Sequence, residues 1–330
     1  MKKWIAILSV VLVVQIGLAA ALFRGQDEFA AFEPEEKLLT FEPALVTEMR
    51  IESPDGALEL RKVEGQWQLP GLDGFVADQG KVSALLEKLA QLRKGWPVAT
   101  TAGALSRFKV ADGEFERRVT LIKDGNTLAQ AYFGTSPGFR KVHARAADDN
   151  VVVAVNFSLF EANVRSDDWI DRNVLEVPVA DVTRVEMPEY TLLYEDGAWR
   201  LADLGDDEKM REKDADDLVG RLAALQIDGL FGAGAQPERD EEKEAWSFTL
   251  ERESGAPLRY ELTPVKGADY LLTRSDRKER FKVASWRLSP VEDMTRDKLV
   301  ETEGKEEENG EVADAPPGDE GDDAGKDEAG

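Results

Sequence analysis

Gly65-Gln66-Trp67-Gln68-Leu69 and Gly197-Ala198-Trp199-Arg200-Leu201 are the same phrase written twice in one chain. Each follows a pair of strand-like pieces and precedes an amphipathic helix. Upstream of the first, residues 46–52 and 57–63 alternate apolar and polar side chains about Pro54-Asp55-Gly56, a strong turn signal. Upstream of the second stand residues 182–187 and 190–194. Downstream of the first, Val82, Leu85, Leu86, Leu89 and Leu92 recur at helical spacing, with Asp78 placed as the N-cap. Downstream of the second, Leu218, Val219, Leu222 and Leu225 do the same. There Asp214, Asp216 and Asp217 enrich the first turn, where negative charge suits the helix dipole.

The repetition continues. Residues 117–123 and 127–133 flank Asp124-Gly125-Asn126, a hairpin signature, and residues 141–146 and 151–156 form a second pair. In the other half, 246–252 pairs with 258–263 across Glu253-Ser254-Gly255, and 270–274 with 280–284. Short helices are expected near 158–163 and 289–294. Both halves then reach an Arg-x-x-Leu phrase, Arg172-Asn173-Val174-Leu175 and Arg296-Asp297-Lys298-Leu299. The expected fold is therefore α+β: two tandem homologous modules of antiparallel β-sheet with packed helices, at 43–175 and 179–300.

Outside the modules, Met1-Lys2-Lys3 precedes an apolar run from Trp4 to Phe23, interrupted only by Ser9, Gln15 and Gly17. About 20 such residues cross a bilayer core as a helix. The expectation for residues 1–24 is a single transmembrane helix with a cytoplasmic N-terminus and the bulk of the chain on the far side. Ala19-Ala20-Ala21 leaves removal as a signal segment open. Residues 25–42 connect this segment to the first module. Residues 301–330 hold 13 acidic and 2 basic side chains, a net of −11, and one β-branched aliphatic residue, Val312. Such a tail cannot bury enough apolar surface to offset its ordering and is expected to be disordered.

The whole chain of 330 residues carries a net charge of −24. No basic stripe is present to neutralise phosphates, which argues against nucleic-acid binding. With no cysteine, thiolate catalysis and Cys-type metal sites are excluded.

The candidate chemistry is thin. Gly134-Thr135-Ser136-Pro137-Gly138 matches the nucleophile-elbow pattern, but the residue after Ser136 must donate an N–H to the oxyanion and Pro137 has none. A loop between strands is the better reading. The only histidine, His143, reads as a surface strand residue. Asp203, Asp206, Asp207 and Glu208 form an acidic loop without calcium-loop spacing. Gly229, Gly232 and Gly234 lack the spacing of a phosphate loop. Trp67 and Trp199 read as core residues, with carbohydrate stacking as the other possibility. Asp167, Asp168, Asp171 and Arg172 could pair carboxylates for acid–base work. Because a similar phrase with Asp293, Arg296 and Asp297 closes the second half, a structural or inter-module role is expected for Asp168, Trp169, Asp171, Arg172 and Arg296. No cofactor or metal ligand set stands out.

The order of elements, with Phe41-Glu42-Pro43, the two Trp-x-Leu phrases each followed by a Leu-rich helix, and Asp168-Trp169-Ile170-Asp171-Arg172, resembles the DUF4340 family over about residues 30–300. Its members are bacterial proteins with no assigned activity. They are often encoded beside ABC-type transporters of the gliding-motility or polysaccharide-export kind. The resemblance implies a protein of the bacterial inner membrane, single-pass with a periplasmic bulk, accessory to an ABC-type permease or another envelope protein. It supplies no catalytic residues to carry over. The expected function is binding or scaffolding without enzymatic activity. The alternatives are a carboxylate-based hydrolase of envelope glycan or peptide, and a polysaccharide-binding module using exposed tryptophans.

Overall fold

Glu64-Gly65 and Asp196-Gly197, just before the two tryptophan phrases, each place two successive residues at positive φ: 50° and 87° in the first, 51° and 85° in the second. That is the tight turn whose twist suits a two-residue hairpin. Both tryptophans therefore enter strands at the same point of the same turn. The computed structural model describes residue 15 and residues 36–302 other than 233 and 268. Apart from residue 15, the apolar run at 4–23 lies outside the described residues, as do residues 25–35 of the connector and the acidic tail beyond 302. Among the described residues, no helix is long and apolar enough to cross a membrane.

The first half lays down β1 (Glu48–Ser53), β2 (Gly56–Val63), β3 (Gln66–Leu69) and β4 (Phe75–Val76), then helix α1 (Gln79–Gln91). The chain crosses to β5 (Pro97–Ala99), runs through α2 (Ala102–Arg107) and the small hairpin β6 (Val110–Ala111) and β7 (Glu114–Phe115). It returns as β8 (Arg117–Lys123), β9 (Asn126–Phe133), β10 (Val142–Ala146) and β11 (Val152–Val155). The second half comprises β12 (Val182–Glu186), β13 (Thr191–Glu195), β14 (Ala198–Leu201), β15 (Glu208–Met210), α3 (Glu212–Ala223) and β16 (Gly229–Leu230). After it come β17 (Trp246–Arg252), β18 (Leu258–Val265), β19 (Asp269–Arg274), β20 (Phe281–Ala284), α4 (Ser285–Glu292) and β21 (Val300–Thr302).

The sheets run β4-β3-β2-β1-β8-β9-β10-β11-β5 and β14-β13-β12-β17-β18-β19-β20-β16. Apart from the extra edge strand β4, the two orders coincide position by position. In each half the chain leaves the third strand, forms its helix, crosses to the far edge, and re-enters beside the first strand. The architecture is α+β and mainly antiparallel.

A second shared signature was not read from sequence. β9 and β10 set Tyr132 opposite Arg145, and β18 and β19 set Tyr260 opposite Arg274. Both arginines are buried, and each guanidinium lies over its tyrosine ring, 4.5 and 5.6 Å from the centroid. Buried guanidinium groups persist only with their donors satisfied. Arg145 donates to the carbonyls of Val110 and Asp149, and Arg274 to the carbonyl of Leu175 and the carboxylate of Asp276. Single charged residues in apolar strands carry no obvious sequence pattern, which is why the pair was missed.

The helices cap their sheets as the periodicity requires. α1 buries Val82, Leu85, Leu86 and Leu89, and Asp78 accepts the Lys81 N–H at 2.9 Å as its N-cap. Gln79 pins the helix to β3, exchanging bonds of 2.8 and 2.9 Å with the Trp67 backbone. Part of the connector is also built in: Leu38 and Leu39 are buried, and the Leu38 N–H reaches the Leu92 carbonyl at 2.8 Å. Residues 36–39 are thus packed into the first half.

Two local readings are corrected. The stretch after α1 was expected to be a loop; it contains α2, whose C-cap Phe108 packs against His143 of β10. His143 is consequently buried, with the Phe108 ring 4.4 Å away and its Nδ1 2.9 Å from Thr135 Oγ1. Burial pushes the imidazole pKa down. The closing helix of the second half begins at Ser285, four residues before its expected start.

Gly134 shows how tight this crossing is, because a Cβ there would lie 1.9 Å from the Phe108 carbonyl oxygen. We expect Gly134→Ala to lower unfolding stability by about 1–3 kcal/mol. Gly103→Ala, in α2 with open space around it, should instead raise stability by up to about 1 kcal/mol. Denaturant midpoints of the two variants check both.

Candidate functional site

The phrase Asp168-Trp169-Ile170-Asp171-Arg172 sits where the two halves meet. Trp169 is fully buried, its indole N–H donates to the Asn163 carbonyl at 2.8 Å, and the Lys81 ammonium lies over its ring at 4.8 Å. Its carbonyl accepts the Asp78 N–H at 2.7 Å, and the Asp171 N–H reaches the Val76 carbonyl. The segment therefore completes the first half. The next residues enter the second: the Arg172 carbonyl accepts the Ile227 N–H, and the Val177 N–H donates to Ala223. Side chains follow suit. Arg172 meets Asp228 at 3.2 Å, and Asp228 also binds Arg287 and the Ala284 N–H at 2.9 Å. Phe75 and Phe281 touch edge to face across the joint, with centroids 6.3 Å apart.

The second half closes in the same way but in a different register. The Arg211 N–H, at the start of α3, reaches the Leu299 carbonyl at 2.8 Å, as the Asp78 N–H reaches Trp169. Leu299 is thus the counterpart of Trp169, and Val300 that of Ile170, which bridges Ala77 as Val300 pairs with Met210. Arg296 corresponds to Ser166 and not to Arg172. The repeated Arg-x-x-Leu phrase is a coincidence of letters, displaced from the structural match by six residues. Arg296 instead grips the acidic loop, 3.0 Å from Asp203 and 2.7 Å from Glu208.

The candidate carboxylates are held locally. Asp168 accepts from Asn163 at 2.7 Å, and Asp171 from the Asn173 N–H at 2.9 Å. A small cleft of about 220 Å³ between the halves is lined by Leu72, Asp73, Phe231, Lys278 and Glu279, and by neither of these aspartates. Ser136 lies 2.8 and 2.7 Å from the carbonyls of Gly138 and Lys141 and closes a tight loop that leads into a strand, so no elbow forms. Trp67 and Trp199 are 4% and 3% exposed and cannot stack on a sugar.

A larger concavity lies elsewhere, at one end of the second sheet. It is a groove of about 810 Å³ reached by Glu186, Tyr190, Trp246, Tyr270, Glu292 and Met294. Glu292 ends α4 and is the acceptor for two neutral donors: the Trp246 indole N–H at 2.8 Å and the Tyr270 hydroxyl at 2.6 Å, both on Oε1. Tyr190 donates to the Met294 carbonyl at 2.8 Å. Burial pushes the hydroxyl pKa of both tyrosines well above the usual phenol value, and the Glu292 carboxylate adds to it for Tyr270. The groove is lined by four carboxylates, on Glu186, Glu189, Glu244 and Glu292, and two cations, on Lys243 and Arg259. Sequence reasoning missed it because its members come from five separate segments with no shared spacing.

The family described as "Domain of unknown function (DUF4340)" matches residues 67–245, more than half of the chain, and the chain belongs to it. No curated protein and no solved structure matches the chain.

The Arg296 bonds, helped by the Gly205 N–H, hold the Glu208 carboxyl at about 2, below its ordinary 4.5. The unfolded chain takes up this proton first, so the contribution to stability is present above about pH 4.5 and is lost as pH falls through about 2. Arg296→Gln should flatten stability against pH across that window. Chemical denaturation at several acid pH values is the measurement.

Proposed function

We propose that this chain is a membrane-anchored, extracytoplasmic binding and scaffolding protein, accessory to an ABC-type transporter or another envelope assembly. The two halves are read as homologous modules from one duplicated ancestor, and the apolar run at 4–23 as the inner-membrane anchor. Three recurrences support duplication: the shared strand order, the twin Gly-x-Trp-x-Leu turns, and the buried Tyr–Arg pair.

The groove beside Glu292 carries the binding reading. Its Glu292 carboxylate is fixed by two neutral donors, which suits a preformed recognition surface. It sits on a body stiffened by one continuous apolar core that includes residues of both halves. Ligand sites are commonly such preformed, partly apolar concavities with a few fixed polar groups. Its distance in sequence from the first module leaves that module free to act as the spacer toward the anchor.

A photo-crosslinking residue at Glu244, on the groove rim, tests the role in cells. The expected product joins this chain to a permease or another envelope protein, and recovery of soluble cytosolic proteins alone overturns the reading. A reporter fused after Thr302 should be active only when the enzyme used works outside the cytoplasm. Activity confined to the cytosol would sink the topology and the proposed partners together.

A further inference from the structure

We infer that the groove takes an extended, positively charged peptide segment of another protein, which pairs by its backbone with the free edge of β17. The inference rests on the binding reading of the groove and names its ligand.

The first support is a strand edge left open. β12 ends at Glu186, opposite Thr249, and the chain then turns back so that the Met187 N–H donates to the Tyr190 carbonyl at 2.9 Å. β17 runs on past it through Phe248, Ser247 and Trp246, which have neighbours only in β18. The alternation of backbone groups, followed from either neighbouring strand, fixes which of them face the opening. Met187 points its N–H toward β13, so Glu186 points toward β17 and bonds with Thr249. Alternation along an antiparallel strand then turns Ser247 the same way as Thr249. On the other side, the Ser275 N–H reaches the Arg259 carbonyl, so Arg259 faces β19. Tyr260 therefore faces β17, its partner Phe248 is satisfied by it, and Ser247 faces away from β18. Both routes aim the Ser247 N–H and carbonyl into the groove. An added strand bonds to such an edge through main-chain groups and draws specificity from side-chain pockets.

The second support is charge. Glu186 is paired with Arg184 at 2.8 Å, but Glu189 and Glu244 form no ion pair among the described residues, and Glu292 meets only neutral donors. Of the two cations present, Arg259 is already paired with Glu261 at 3.1 Å. The surplus is negative, beside the partly exposed Trp246, over whose face a lysine or arginine head is further favoured. The same surplus rules out the chain's own tail as occupant, since residues 301–330 carry a net of −11.

The test uses the full chain in detergent micelles and calorimetric titration with synthetic nine-residue peptides. One alternates lysine with valine. A second replaces lysine with glutamate. A third keeps the lysines but carries N-methyl groups on alternate amides, which blocks strand pairing without changing charge. Because a chain of net −24 attracts any polycation, the N-methylated peptide is the decisive probe. Saturable binding of the first peptide is expected, weakened about tenfold or more by N-methylation or by glutamate. Glu292→Gln, which keeps an acceptor for Trp246 and Tyr270, should weaken it by about three- to tenfold. Equal binding of the methylated and unmethylated peptides overturns the inference, as does tight binding of a soluble peptidoglycan disaccharide where no peptide binds. If crosslinks from position 244 reach an envelope protein while the lysine peptide fails to bind, strand pairing falls and the scaffolding role stands.

Discussion

The segment from Asp167 to Val177 is the strap on which the architecture depends. Neither sheet with its single long helix covers its own apolar face completely. The strap supplies the missing wall of the first half through Trp169 and Ile170, and then carries Leu175 and Val177 into the second. Its backbone bonds go to the first half as far as Asp171 and to the second from Arg172 on. Losing a side chain as large and buried as Trp169 typically costs about 3–5 kcal/mol, a large share of the 5–15 kcal/mol by which domains are stable. Around this strap the polar groups arrange themselves as a cuff. Asp228 gathers Arg172, Arg287 and the Ala284 N–H, and Lys282 approaches Asp167 at 3.6 Å. One residue inserted here would displace the apolar and ionic sets together.

The stiffness has a functional corollary. A groove formed by the end of one sheet, the end of α4 and the turn at Met187 keeps its shape only if those three pieces cannot drift. Trp246 and Tyr270 share a carboxylate oxygen of Glu292, which ties β17, β19 and α4 to one point. The open stretch of β17 follows from simple arithmetic of lengths. β12, with its register shift between Val182 and Arg184, covers only Thr249 to Arg252 of the seven residues of β17, so the longer strand overhangs the shorter. Exposed strand edges invite pairing, and here the overhang is short and rimmed with charge, which limits it to a segment of fitting length and sign.

The turn and helix phrases that the two halves share were legible because their signals are local. Glu64-Gly65 and Asp196-Gly197 need positive φ, a demand visible as glycine in the sequence, and the tryptophan and leucine that follow show the alternation of a half-buried strand. The helices announced themselves by spacing. His143 went wrong because its strand context said nothing about α2, a six-residue helix too short to show a period. The match between the two closing phrases went wrong for a different reason. Arg-x-x-Leu recurs in letters, whereas equivalence is defined by which carbonyl receives the N–H at the helix start, and that carbonyl belongs to Trp169 in one half and Leu299 in the other.

The chain alone therefore settled its periodicities: a repeated hairpin with its helix, an apolar N-terminal run, an acidic end, and no thiol or histidine-rich chemistry. These depend on neighbours within a few residues, where backbone sterics and side-chain alternation act directly. Only the tertiary structure decided how the halves are joined and where a ligand has room. Tyr132 with Arg145, Tyr260 with Arg274, and Glu292 with Trp246 and Tyr270 meet across strands and helices, separated by 13 to 46 positions along the chain. Such contacts exist only after loop closure and packing have chosen a register, so no local pattern of residues announces them.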